Sequence, residues 1–136
     1  MAKVGLEQIE QIKIFDWLRF MKLDNVAFHC PNERKCSPQH GALLKRMGVT
    51  SGVADIFIMR PNELYFGLII ELKAENGKLS KEQSKFLFDM NEEGYLARCC
   101  FGANQAIDLI CSYLNIPHPN KPHHAPESQP DFLGEF

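Results

Sequence analysis

The stretch that decides the fold is SGVADIFIMRPNELYFGLIIELKAENGKLSKEQ, residues 51–83. It contains two apolar runs, VADIFIMR and LYFGLIIELKA, on either side of RPNEL, where Pro-Asn makes a good turn pair. This order predicts an antiparallel hairpin whose strands share one core. The second run ends abruptly in Glu71-Leu72-Lys73. Side chains two apart on a strand share a face, so Glu71 and Lys73 project together while Leu72 faces the other way. Charged side chains are rarely buried without partners, which assigns this pair to a rim or a pocket. Taken alone, it reads as an ion pair at a strand end.

Asp55 changes that reading. Counted from a turn at 61–63, it lies about seven residues before the turn, and Glu71 lies about eight beyond it. Hairpin pairing would therefore bring the two carboxylates close together. Like charges at that range raise one pKa unless a cation offsets them. Oxygen ligands of this kind suit octahedral Mg²⁺ with its retained waters, so a metal site is the economical hypothesis.

Working outward, LEQIEQIKIFDWLRFM (6–21) places apolar residues close to the helical period and predicts a first helix. Glu7 and Gln11 share a face of it, with Glu10 about a third of a turn away. NVAFHCPN then reads as a short strand ended by Pro31-Asn32. A loop follows, with a short helical turn around 41–47. Gly48 and Gly52 suit tight turns or close backbone approach. After the hairpin and an Asn-Gly turn, Ser80 and Gln83 have capping-box spacing, which predicts a helix over 81–93 stopped by Gly94. YLARCCFG is a third long strand, and NQAIDLICSYLN a closing helix. The expected order is α-β-β-β-α-β-α. Residues 1–116 form one domain in this reading, and 117–136, with five prolines in twenty residues, form a Pro/His-rich tail.

At 136 residues and 45% hydrophobic content, the chain can bury one sizeable core. A net charge of −2 and a pI near 6.2 give no global sign of a nucleic-acid binder, although a local basic rim is compatible with them. Five unevenly spaced cysteines, no apolar leader and no run of membrane-spanning length suggest a reduced cytoplasmic protein that does not enter a membrane. His29, Cys30, Cys36 and His40 lack the paired spacing of a zinc site, and Cys99 and Cys100 read as small hydrophobes.

The ordered set EQIEQ with Trp17, CPN, LLKRMGVTSGVAD, IIELKA and LSKEQ, together with Gly48, Gly52, Gly77, Gln83 and Gly94, resembles the VRR-NUC (virus-type replication-repair nuclease) branch of the PD-(D/E)XK nucleases over roughly residues 6–114. Where the superfamily's name has Pro-Asp, this chain has Ala54-Asp55, a departure at a position that shapes the strand. The resemblance implies an α/β, restriction-endonuclease-like fold, a central mixed β-sheet flanked by helices. It implies that Asp55, Glu71 and the backbone carbonyl of Leu72 hold a divalent metal, Mg²⁺ or Mn²⁺. Lys73 would orient or help deprotonate the attacking water, or steady the phosphate, and Gln83 would reach into the site from its helix. A first-helix glutamate would also serve the site, Glu7 as first choice and Glu10 as the alternative.

The activity so implied is a metal-dependent deoxyribonuclease, a structure-selective endonuclease for four-way (Holliday) junctions or related branched DNA. As in stand-alone phage forms, it would act as a homodimer, in the host cytoplasm if phage-encoded. Flap, nicking or restriction-type cleavage, or a catalytically silent DNA-binding module, are the alternatives. Arg34, Lys45, Lys78 and Lys81 flank the motifs and are candidates for backbone contacts with DNA. Gln83 raises a question of its own, since a capping-box partner and a site residue cannot both use the same side-chain oxygen.

Overall fold

The computed structural model describes residues 5–31 and 36–119. The elements are α1 (Leu6–Phe20), β1 (Ala27–His29), α2 (Pro38–Arg46), β2 (Ile56–Ile58), β3 (Leu68–Lys73), α3 (Lys81–Glu92), β4 (Leu96–Phe101) and α4 (Ala103–Leu114). The strands form one sheet in the order β1-β2-β3-β4. The first two pairings are antiparallel and β3 pairs with β4 in parallel, which needs a long crossover, supplied by α3. The result is the mixed α/β sheet expected. The Pro/His-rich tail beyond residue 119, with His123 and His124, and Arg34 and Lys35 all lie outside the described residues.

The core divides across the sheet according to the two-residue period of β3. Leu68, Ile70 and Leu72 face one way, into a cluster with Ile14 and Leu18 of α1 and Ala106, Leu109 and Ile110 of α4. Ile69 faces the other way, onto Leu87 of α3 and Ala97 of β4. A strand covered on both faces reads as a continuous apolar run, which is why YFGLII shows no alternation. Each such side chain removed from water contributes about 1.5–3 kcal/mol, so β3 anchors both layers.

Two elements differ from expectation. The helical turn around 41–47 is a full nine-residue helix. Ser37 accepts a hydrogen bond from the His40 N–H at its start, and Pro38 occupies the first turn, where a missing N–H does no harm. The hairpin connection is also longer than RPNEL, because β2 ends at Ile58 and β3 begins at Leu68. Asn62 organises that loop, its Oδ1 accepting from the N–H groups of Leu64 and Tyr65 and its Nδ2 donating to the Tyr113 carbonyl.

The helix after β3 begins as its sequence predicts. Ser80 Oγ accepts from the Gln83 N–H at 3.1 Å, and Gln83 Oε1 accepts from the Ser80 N–H at 2.9 Å. This reciprocal cap fixes where α3 starts, beside the end of β3.

Candidate active site

Ile56 pairs with Ile70 across the hairpin, so one further step in the register sets Asp55 opposite Glu71. Asp55 lies just outside β2 and is held from two sides. Its carboxylate accepts from the Leu72 N–H at 2.8 Å. Its main-chain carbonyl accepts from the Cys30 N–H at 3.1 Å and from the His29 ring at 2.7 Å. A carbonyl only accepts, so His29 Nδ1 carries the proton and Nε2 is left on the opposite side of the ring.

Glu71 is the one buried charged residue among those described, 3% exposed. Its Oε1 accepts from Gln83 Nε2 at 3.0 Å and lies 3.7 Å from Lys73 Nζ. Its Oε2 is buried and accepts from no donor among the described residues, and a proton on Glu71 is shared with the neighbouring Asp55 carboxylate. Burial, and then the charge of Asp55, push the Glu71 carboxyl up to about 8, against the opposing pull of Lys73. Burial also raises Asp55, with the Leu72 N–H acting the other way. Two carboxylates that resist joint ionisation, one with an unsatisfied oxygen, form a site short of positive charge.

These groups open onto a cavity of about 600 Å³. Asp55, Glu71, Gln83 and Glu7 line it, and so does Leu72. The Leu72 side chain lies in the core, so what Leu72 presents to the cavity is main chain. Asp55, Glu71 and that carbonyl could together hold a hard divalent cation, for which oxygen donors completed by water suffice. Among the described residues no group of three or more His, Cys, Asp or Glu side chains gathers at one point.

The structure separates the two first-helix glutamates. Glu7 lines the cavity, and its Oε1 accepts from the Ala74 N–H at 3.3 Å, just beyond β3. Glu10 does not line it; its carboxylate accepts from the Ala103 N–H at 3.2 Å and pairs with Lys13 at 3.5 Å. A carboxylate at the first N–H groups of α4 suits that helix's dipole, and this draws Glu10 away from the site.

Two glycines set the walls. Gly52 has φ of +80°, and a β-carbon there would stand 2.6 Å from the Glu82 carbonyl, so the loop before Asp55 lies directly on the first turn of α3. A β-carbon on Gly77 would stand 3.1 Å from Lys73 Cβ, so the turn after β3 closes over the lysine stem. Lys73 itself does not line the cavity, although it is within ion-pair range of Glu71. Lys45, Lys78 and Lys81 are exposed and also lie outside the lining.

Sequence reasoning weighed His29 only as a zinc ligand. The structure instead puts it on the cavity wall, bonded to Asp55. All five cysteines are free thiols, and burial pushes Cys99 up to about 11 and Cys100 up to about 12, as small apolar side chains would be.

A mixed sheet whose central strand ends in Glu71-x-Lys73, with an aspartate across the hairpin, is the arrangement of a PD-(D/E)XK nuclease. The VRR-NUC domain model matches residues 6–104. The chain therefore belongs to the VRR-NUC family and is a nuclease of the PD-(D/E)XK type, with DNA as its substrate. A solved VRR-NUC domain protein superimposes with a TM-score of 0.73 at 27% identity, covering 85% of this chain and 93% of its own. A search of curated proteins finds no match. No helix among the described residues is long and apolar enough to cross a membrane.

Proposed function

We propose that the protein is a divalent-metal-dependent, structure-selective DNA endonuclease acting on branched DNA, four-way junctions foremost, as a symmetric homodimer. The observation that carries the metal dependence is the buried Oε2 of Glu71, which has no donor among the described residues and faces only the Asp55 carboxylate, so that a proton or a cation must offset the pair. Asp55, Glu71 and the Leu72 carbonyl would hold Mg²⁺ or Mn²⁺. When bound, that ion supplies Lewis-acid polarisation of a phosphoryl oxygen and a more acidic water.

The chain's own residues do the rest. Gln83 Nε2 fixes Glu71 Oε1, which leaves Oε2 as the oxygen available to a cation. The Lys73 ammonium, 3.7 Å from Glu71, brings positive charge to where the pentacoordinate phosphorus gains negative charge, and it can orient the water. Glu7 holds the backbone just beyond β3 and adds a carboxylate to the wall. Hydrolysis adds water to phosphorus and breaks its bond to O3′, leaving a 5′-phosphate and a 3′-hydroxyl.

Contact with the DNA backbone falls to exposed lysines near the motifs in sequence. Exposed Lys45, Lys78 and Lys81 suit contacts to phosphates, which fix position without reading bases. We assign this activity to residues 1–116, and the free cysteines suit a reducing cytoplasm.

The test is incubation of pure protein with labelled duplex, single strand, flap and four-way junction, each with Mg²⁺, Mn²⁺ or EDTA. Cleavage should need metal and favour the junction. Glu71→Ala and Lys73→Ala should each lower the rate on the order of 10³-fold while DNA binding persists. Full activity in either variant would sink the site assignment. Flap or duplex preference would replace the junction reading, and binding without cleavage would reduce the protein to a DNA-binding module.

A further inference from the structure

The catalytic cavity does not stand alone. Gln11 and His29 also line a smaller groove of about 310 Å³ that runs along α1 past Ile12, Phe15 and Arg19. Two shared wall residues make the spaces neighbours, so a chain lying in the first can pass into the second. The groove's volume is near the lower end of the ~300–1,000 Å³ typical of ligand pockets.

The chemistry changes along this path. The catalytic cavity is acidic, with Glu7, Asp55, Glu71 and Glu82 in its lining. The groove's described lining includes no carboxylate and offers an aromatic ring, an aliphatic side chain, a guanidinium and an imidazole. The Arg19 guanidinium lies over the Phe15 ring, 6.0 Å from its centroid, and Phe15 is half-buried against the core, so part of its ring is left to the groove. Its ion pair with Asp16, at 3.3 Å, is solvent-exposed on both sides and is the kind a phosphate can displace cheaply. Ile12 is 54% exposed on a helix whose buried residues are Ile14 and Leu18, so it does not belong to the core. His29 commits Nδ1 to the Asp55 carbonyl, and its exposed ring stands on the wall the two spaces share.

We propose that this groove is a nucleotide subsite: it receives an unpaired nucleotide adjoining the scissile phosphate, the base against Phe15 and Ile12 and a phosphate on Arg19. Apolar contact to the base together with a cation for the phosphate holds a strand without reading sequence, and the stacked guanidinium adds a flat surface of its own. The subsite rests on the nuclease reading above and sharpens it. A strand frayed beside the cut, as at a branch point, can enter the groove, whereas a base held in continuous duplex cannot.

The test uses the full chain in EDTA with a branched DNA carrying a single-stranded arm, 5-iododeoxyuridine being placed at successive positions of that arm. After irradiation, the crosslinked peptide is identified by mass spectrometry. Crosslinks should fall on the peptide containing Phe15 or that containing His29. Arg19→Ala, and Phe15→Leu, which retains an apolar side chain of useful bulk, should each weaken binding of the armed DNA on the order of tenfold, with much less effect on blunt duplex. Crosslinks confined to other surfaces, or equal losses on armed and blunt DNA, overturn the subsite. Metal-dependent cleavage with crosslinks elsewhere removes the subsite and leaves the nuclease reading standing. Crosslinks at α1 from a protein that cleaves no DNA uphold the subsite and remove that reading.

Discussion

Gln83 holds Glu71 by one end of its amide and its own helix by the other: Nε2 donates to Glu71 Oε1 at 3.0 Å, while Oε1 accepts from the Ser80 N–H at 2.9 Å. The apparent conflict between capping and serving the site is resolved because the two roles use different atoms. Cap and carboxylate are thereby locked together. The start of α3 cannot shift without moving Glu71's only amide donor among the bonds described.

The two roles can be separated by substitution. Gln83→Glu keeps an oxygen for the Ser80 N–H and adds negative charge at a helix N-terminus, which is favourable there, but it removes the donor to Glu71. Its melting temperature should stay close to that of the parent at pH 6, where Glu71 keeps its proton and can donate to the new carboxylate, while cleavage falls ~10–100-fold, as for loss of a group that orients a ligand. Gln83→Ala should lose both, including about 1 kcal/mol of stability. Thermal melts beside single-turnover rates read this out, and equal behaviour of the two variants would refute the division.

The Glu71 carboxyl gives a pH signature. Its folded value, about 8, lies above its ordinary 4.5, so its contribution to stability is present below pH 4.5 and is lost as the pH climbs through about 8. Glu71→Gln removes that loss. In EDTA, the variant should gain on wild type between pH 5 and pH 8, by on the order of 3–4 kcal/mol at the upper end. Urea melts at a series of pH values test it, and parallel curves for the two proteins would contradict it. Added Mg²⁺ should stabilise wild type more at pH 8 than at pH 6, since the ion competes with the proton for the same oxygens.

Gly52→Ala should disturb the site without touching a carboxylate. The new β-carbon meets the Glu82 carbonyl at 2.6 Å and sits on a backbone with φ of +80°. A cost of ~1–3 kcal/mol is expected. Because Glu82 adjoins Gln83, the rate should fall even at temperatures where the variant is fully folded. Circular dichroism beside cleavage assays distinguishes this from simple unfolding.

The first-helix glutamates should part company. Glu7→Gln is expected to lower cleavage by ~10-fold or more, because its carboxylate lines the cavity and holds the Ala74 N–H. Glu10→Gln should instead lower stability by ~0.5–1 kcal/mol through the N-terminus of α4. The reverse pattern in rates and melts would return Glu10 to the site.

Much of this was legible from local rules. The two-residue period set Glu71 and Lys73 on one face, and hairpin counting brought Asp55 to Glu71, although the real loop is longer than the turn assumed. Ser80 and Gln83 announced the start of α3. The helix at Pro38 carried its own signal, a Ser-Pro start at 37–38, that the reading of a short turn passed over. Other features depend on contacts between distant segments. Glu7 and Glu10 differ only in which neighbour α1 turns toward, β3 or α4. His29 reaches Asp55 because β1 pairs with β2, and three residues of strand are too few to fix that pairing from sequence. The free end of Gln83 mattered only once α3 lay beside β3.

The span between Glu7 and Gln83 also bears on how the enzyme comes into being. The candidate catalytic face is gathered from α1, β1, the loop before β2, β3 and α3, and none of these segments holds it alone. During synthesis, Glu7 is made long before Gln83, and the bonds that bring α1 to the sheet and to α4 join residues 67 and 93 positions apart. Folding of this kind is slow relative to local helix formation. A nascent or truncated chain ending before α3 thus carries Asp55 and Glu71 without the amide that orders them, and the cell meets a DNA-cutting surface only once the sheet is complete.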